Sequence, residues 1–137
     1  MKTNRRDFLR QLSALSAVAA TSASAVEPSA RKKVAFLGTE VRQHSHAQHF
    51  LDRLTLGYGW RGAWQMPRVD VASVYLDQFP DGDLGRARLE KHGLALSSSI
   101  EAALTLGTDK LAVDGVVIIA EHGDYPDNDM GQKLYPR

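Results

Sequence analysis

Val113-Asp114-Gly115-Val116-Val117-Ile118-Ile119-Ala120 holds the most apolar run of the chain beyond residue 25. A continuous stretch of β-branched side chains like this suits a strand buried on both faces of a parallel sheet. Two earlier stretches have the same character. Lys33-Val34-Ala35-Phe36-Leu37 ends at Gly38, and Val69 to Leu76 carries Val71, Val74 and Tyr75 before reaching Asp77. A short piece, Leu94 to Leu96, reads as one more strand.

Helical patterns with start and stop signals separate these strands. Past the loop from Thr39 to His44, Ser45 with Gln48 three residues on forms a capping box. Ala47, Phe50, Leu51 and Leu54 then recur at helical spacing, and Gly57 supplies the stop. The turn Pro80-Asp81-Gly82-Asp83 leads to a second helix, capped by Asp83, holding Leu84, Ala87 and Leu89 and ending at Gly93. Ser98 with Glu101 makes another box, for a helix with Ile100, Ala103 and Leu104 that stops at Gly107. The segment from Tyr58 to Pro67, with Gly59, Trp60, Gly62 and Trp64, reads as an ordered loop that buries one or both tryptophans. Strands alternating with helices predict an α/β fold: an open parallel sheet with right-handed crossovers and a Rossmann-like dinucleotide-binding topology.

The N-terminus belongs to a different kind of segment. Asn4-Arg5-Arg6-Asp7-Phe8-Leu9-Arg10 matches the core of a bacterial twin-arginine export signal. A weakly apolar stretch from Leu12 to Ala20 follows, and Ala23-Ser24-Ala25 is an A-x-A cleavage site. The stretch is too short to span a bilayer, which takes about 20 apolar residues. The organisation expected is therefore a twin-arginine signal over 1–25, a linker over 26–31, and a Rossmann-like domain over 32–123. The polar tail over 124–137, with Pro126, Asn128, Gly131 and Pro136, is expected to lead toward a second domain. The protein is expected to meet the twin-arginine translocation machinery and to work in the periplasm or outside the cell.

Charge and composition narrow the partners. The chain has 17 basic and 16 acidic residues, which fall to 13 and 15 once the signal's four basic and one acidic residue are set aside. The single basic run, Arg31-Lys32-Lys33, sits at a strand entrance, so no electrostatic footprint for nucleic acid is expected. No cysteine is present, which excludes disulfides and thiolate metal sites.

On the strand ending at Gly38, the strand ending at Asp77, the helix Ile100-Glu101-Ala102-Ala103-Leu104 and the run Val113 to Ala120, the chain resembles the nucleotide-binding half of the Gfo/Idh/MocA oxidoreductases. The resemblance implies NAD or NADP as cofactor and a sugar or polyol as small-molecule substrate, with the catalytic groups on a second domain. It places Gly38, Thr39 and Glu40 in the first turn, Asp77 on the ribose, and Ala120, Glu121 and His122 beside the nicotinamide. The first turn departs from that family's G-x-G-x-x-G. Gly38-Thr39-Glu40-Val41-Arg42-Gln43-His44 keeps only the first glycine, and Glu40 stands where a backbone must approach two phosphates.

Other readings stay open beside that one. A non-catalytic exported binding protein keeps the fold without the cofactor, and self-association into a homo-oligomer is compatible with either. Three histidines lie within His44-Ser45-His46-Ala47-Gln48-His49. His44 or His46 could meet Glu121, His122 and Asp124 at the carboxyl edge of the sheet. There they would serve as ligands for Zn, Mn or Fe, as polar contacts to a sugar or nucleotide, or, for His122, as a general acid or base.

Overall fold

A computed structural model describes residues 31–135 of the protein. The segment expected to be an export signal, and nearly all of the linker expected before β1, lie outside the described residues. Five strands and three helices follow in chain order: β1 (Lys32–Gly38), α1 (His46–Leu56), β2 (Tyr58–Trp60), β3 (Ala63–Gln65), β4 (Val69–Leu76), α2 (Gly85–His92), α3 (Ile100–Thr105) and β5 (Gly115–Ile119). The α/β class and the open parallel sheet are those expected. The main sheet has the order β4-β1-β5, with β1 parallel to both neighbours.

The third predicted strand survives only as an isolated parallel bridge from Val74 to Leu96, held by Val74 N–H to Ala95 O and Ser97 N–H to Val74 O. It lies on the outer side of β4. In order of appearance along the chain, the sheet positions thus run 3-2-1-4, the arrangement of one half of a doubly wound fold.

β1 forms the centre because its side chains serve both faces. Phe36 packs with Val41, Ala47, Leu51, Val74, Leu76 and Leu89 beneath α1 and α2. Ala35 and Leu37 pack with Ala103 and Val113 beneath α3. α3 is further tied down by the buried Ser73 hydroxyl, which donates to the Ala103 carbonyl at 2.7 Å. On the opposite face, Arg88 of α2 grips both carboxylate oxygens of Asp52 on α1, at 2.6 and 3.1 Å. Burial opposes ionisation of Asp52, yet the Arg88 hydrogen bond and charge outweigh it and hold that carboxyl below its ordinary value. Two residues of the basic run at the entrance of β1 are paired within the domain: Arg31 with Asp70, and Lys32 with Asp114.

Local signals were sound where side chain and backbone meet over a few residues. Ser45 caps α1 by accepting from Gln48 N–H, while the Gln48 side chain reaches back to His44 N–H. The α3 cap is shifted by one residue, with Ser99 rather than Ser98 accepting from Ala102 N–H. Asp83 accepts from Gly85 and Val41 N–H, so it joins the start of α2 to the loop after β1.

Two expectations fail. The segment after Gly57 is a β-hairpin, β2 paired antiparallel to β3, and its tryptophans are exposed rather than buried, Trp60 by 60% and Trp64 by 66%. β5 is not buried on both faces. Val117 and Ile119 pack beneath α1 and α2, but Val116 and Ile118 are exposed because the six-residue α3 does not reach across them. A continuous apolar run says nothing of whether a second layer covers each face.

Urea unfolding should separate the two faces. Leu51→Ala empties a fully buried site and should cost about 2–5 kcal/mol. Ile118→Ala, on the open face of β5, should cost less than about 1 kcal/mol.

Candidate functional site at the carboxyl edge of the sheet

The loops that leave β1, β4 and β5 meet at one edge, with the switch point between β1 and β5. Thr39 N–H reaches Ile119 O at 3.3 Å, Asp77 N–H reaches Gly38 O at 3.1 Å, and Gln78 N–H reaches Thr39 O at 2.8 Å. These bonds join the three loops, and Gly38, Thr39, Asp77 and Ala120 line the same rim. Two groups of side chains then divide the edge.

At the switch point, Glu121 turns back onto the start of α1. One carboxylate oxygen accepts the His46 backbone N–H at 3.1 Å and the other meets His46 Nδ1 at 2.6 Å. His122 Nε2 lies 3.6 Å from that second oxygen. The His46 ring hydrogen bond is the leading reason that the Glu121 carboxyl lies below its ordinary value of 4.5. In the tautomer that donates Nδ1–H to Glu121, Nε2 of the largely exposed His46 ring is the proton acceptor. Of the groups expected to gather here, His46, Glu121 and His122 do so. His44 instead stands 6.4 Å from His49, ring to ring, and Asp124 is drawn toward β4. Among the described residues no group of three His, Cys, Asp or Glu side chains is arranged to hold a metal ion.

The second group surrounds Asp77. Its two carboxylate oxygens accept the hydroxyls of Tyr75 at 2.8 Å and Tyr125 at 2.7 Å. The Tyr75 hydrogen bond to Asp77 raises that phenol above its ordinary value, and burial is the main cause of a similar rise at Tyr125. Gln78 clamps the chain that brings Tyr125 here, accepting from Asp124 N–H at 2.8 Å and donating to Asp124 O at 3.1 Å. A groove of about 370 Å³ opens alongside, lined by Tyr75, Asp77, Tyr125 and the uncovered Val116 and Ile118. Tyr125 and Gln78 were missed in the sequence. The only signal was an aromatic residue standing in an otherwise polar tail.

Two of the four non-glycine residues with positive φ among the described residues lie in these loops. His44 and His122 adopt left-handed conformations, with φ of 66° and 64°. Gly123 (φ 94°) lies so close to its neighbours that a Cβ there would stand 2.4 Å from Thr39 Cγ2. Such conformations cost about 1–3 kcal/mol each for ordinary residues and persist where the surroundings over-determine them.

The residues at the pyrophosphate position do not fit a diphosphate. In a dinucleotide fold that group sits on the free amides at the start of the first helix. Here the Glu121 carboxylate holds the first of those amides. Glu40, at the second glycine position, is buried to 1% exposure; it forms an ion pair with Arg42, but its Oε1 lacks an aligned hydrogen bond. α1 also begins eight residues after Gly38, so its N-terminus does not follow directly on a tight glycine turn. Among the described residues no helix is long and apolar enough to cross a membrane. No protein-family model, curated protein or solved structure matches the chain.

The Glu121 contact carries a pH signature. A carboxyl held below its ordinary value adds stability above that value and loses it as the pH falls through the lowered one. Glu121→Gln should therefore melt below wild type above pH 4.5, and the gap should close on further acidification. A gap that is constant with pH in thermal melts would contradict the assignment.

Proposed function

We propose that the chain is the Rossmann-like half of an exported protein that binds a neutral polyhydroxylated small molecule, of the sugar or polyol class, at the carboxyl edge of its sheet. The observation that carries this reading is the Glu121 carboxylate on the His46 amide. It fills with an internal anion the place where a phosphate would bind, and it makes the switch point acceptor-rich. Glu121 and Asp77 can accept hydroxyl protons, while Tyr75, Tyr125 and the histidines can donate or accept. An uncharged polyol satisfies such a set without burying a second anion beside the first. The export signal, read from residues 1–25, supports a periplasmic or extracellular place of work. In the bound state His46 Nε2 is the group best placed to take a proton from a ligand hydroxyl, because Glu121 orients the ring.

A second reading is a nicotinamide-dependent oxidoreductase of the Gfo/Idh/MocA kind acting on a sugar or polyol. The 3-2-1-4 sheet order, with an acidic residue ending the second strand, favours it. Hydride chemistry would then belong to a nicotinamide, with Asp77 on the ribose once its tyrosine partners release it.

Calorimetry of the full chain separates the two. Titration with NAD(H) and NADP(H) should give no binding at micromolar strength. Among glucose, myo-inositol and related polyols, at least one should bind and lose about tenfold in affinity in Glu121→Gln. Micromolar binding of either dinucleotide by the folded chain would overturn the first reading in favour of the second.

A further inference from the structure

Away from the sheet edge, the β2–β3 hairpin holds aromatic side chains in the open. Trp64 is fixed at one edge, where its indole N–H donates to Leu56 O at the C-terminal end of α1, at 2.9 Å. Its ring nevertheless stays mostly exposed. The hairpin can lie this close to α1 because residue 57 is glycine. A Cβ there would stand 2.4 Å from Gln65 O and 2.7 Å from Trp64 Nε1, and the φ of 88° also disfavours any side chain. The hairpin is thus tied to α1 at Trp64, and an aromatic already held by a hydrogen bond has less conformational freedom to lose on binding. Phe50, Tyr58 and Trp60, all partly or largely exposed, join Trp64 in lining an open groove of about 720 Å³ between α1 and the hairpin.

The groove's charge is one-sided. Arg53 lines it, and Arg61 stands 5.9 Å from the Trp60 ring at the tip of the hairpin. Neither guanidinium meets a carboxylate among the described residues, and no Asp or Glu lines the groove. A fitting ligand therefore needs an apolar face for the rings and an anion for the guanidiniums.

We propose that this groove binds an acidic oligosaccharide of the uronic acid type. The C–H face of a pyranose ring carries slight positive charge that suits the negative face of an indole, and its carboxylate matches the two-pronged geometry of Arg. A peptide fits less well, because β2 and β3 have three residues each and offer little edge for strand pairing. A nucleic acid fits less well, because the balance of 17 basic and 16 acidic residues gives no broad basic surface for a phosphate backbone. The site is separate from the sheet edge and does not depend on what binds there.

The test is titration of the full chain at low salt with hexagalacturonate, followed by tryptophan fluorescence and calorimetry. Maltohexaose and a single-stranded oligothymidylate serve as competing probes. Hexagalacturonate should change the fluorescence and bind at least about tenfold more tightly than maltohexaose, with affinity falling as salt rises. Trp60→Ala and Arg53→Gln alter exposed side chains and should melt like wild type, yet each should weaken binding about tenfold. Absence of binding up to millimolar hexagalacturonate, equal affinity for the two hexasaccharides, tighter binding of the oligonucleotide, or unchanged affinity in both variants would each overturn the proposal.

Discussion

β1 has both edges hydrogen-bonded and both faces covered, and the rest of the structure is arranged to meet that demand. Its backbone donors and acceptors need two parallel neighbours, β4 and β5, and parallel neighbours need long crossovers. Its alternating side chains need a layer on each face. α1 and α2 supply one layer and α3 the other. Because the three strands run parallel, the loops that leave them emerge at the same edge. The site is a consequence of how the central strand is satisfied.

At that edge the chain does something that a dinucleotide fold leaves to its ligand. The first amide of α1 bears partial positive charge and calls for an anion. Glu121 provides one from the loop after β5, and its position also orients His46. Asp77 is engaged in the same way, by two tyrosine hydroxyls, one of them brought from the tail by the Gln78 clamp. Polar groups of this edge therefore bond first to one another. A ligand must compete with, or add to, a network that already exists, which favours multiple hydroxyls over a concentrated charge. The left-handed backbone at His122 is a conformation that a non-glycine residue seldom adopts, and the chain beside it can pass close to Thr39 because residue 123 is glycine.

Much of the fold was legible because its signals are local. Ser45, Gly57, Asp83 and Gly93 punctuate helices by short-range hydrogen bonds or left-handed backbone, and these can be read from neighbouring residue types. β4 occupies Val69–Leu76, the span that its β-branched residues mark. The failures involve information that lies elsewhere in the chain. Nothing near Val116 or Ile118 tells that α3 is too short to cover them. Nothing near Trp60 or Trp64 tells that the hairpin has no layer above it. Strand order puts the loops after β1 and β5 at one rim, because an open α/β sheet gathers its loop residues there, while the roles of Gly38, Thr39, Glu40, Asp77, Ala120, Glu121 and His122 came from the family resemblance. Tyr125 was not legible, because a contact across 48 residues leaves no periodic trace.

The Glu121 carboxylate, and not an outside anion, satisfies the start of α1. Carboxyl-carbon NMR across acidic pH, with the His46 amide followed in the same samples, tests this assignment most directly. Glu121 should titrate below 4.5 and the His46 amide should shift with the same midpoint, because one proton breaks both contacts. Titration of Glu121 at or above that value, with the His46 amide unmoved, would contradict it.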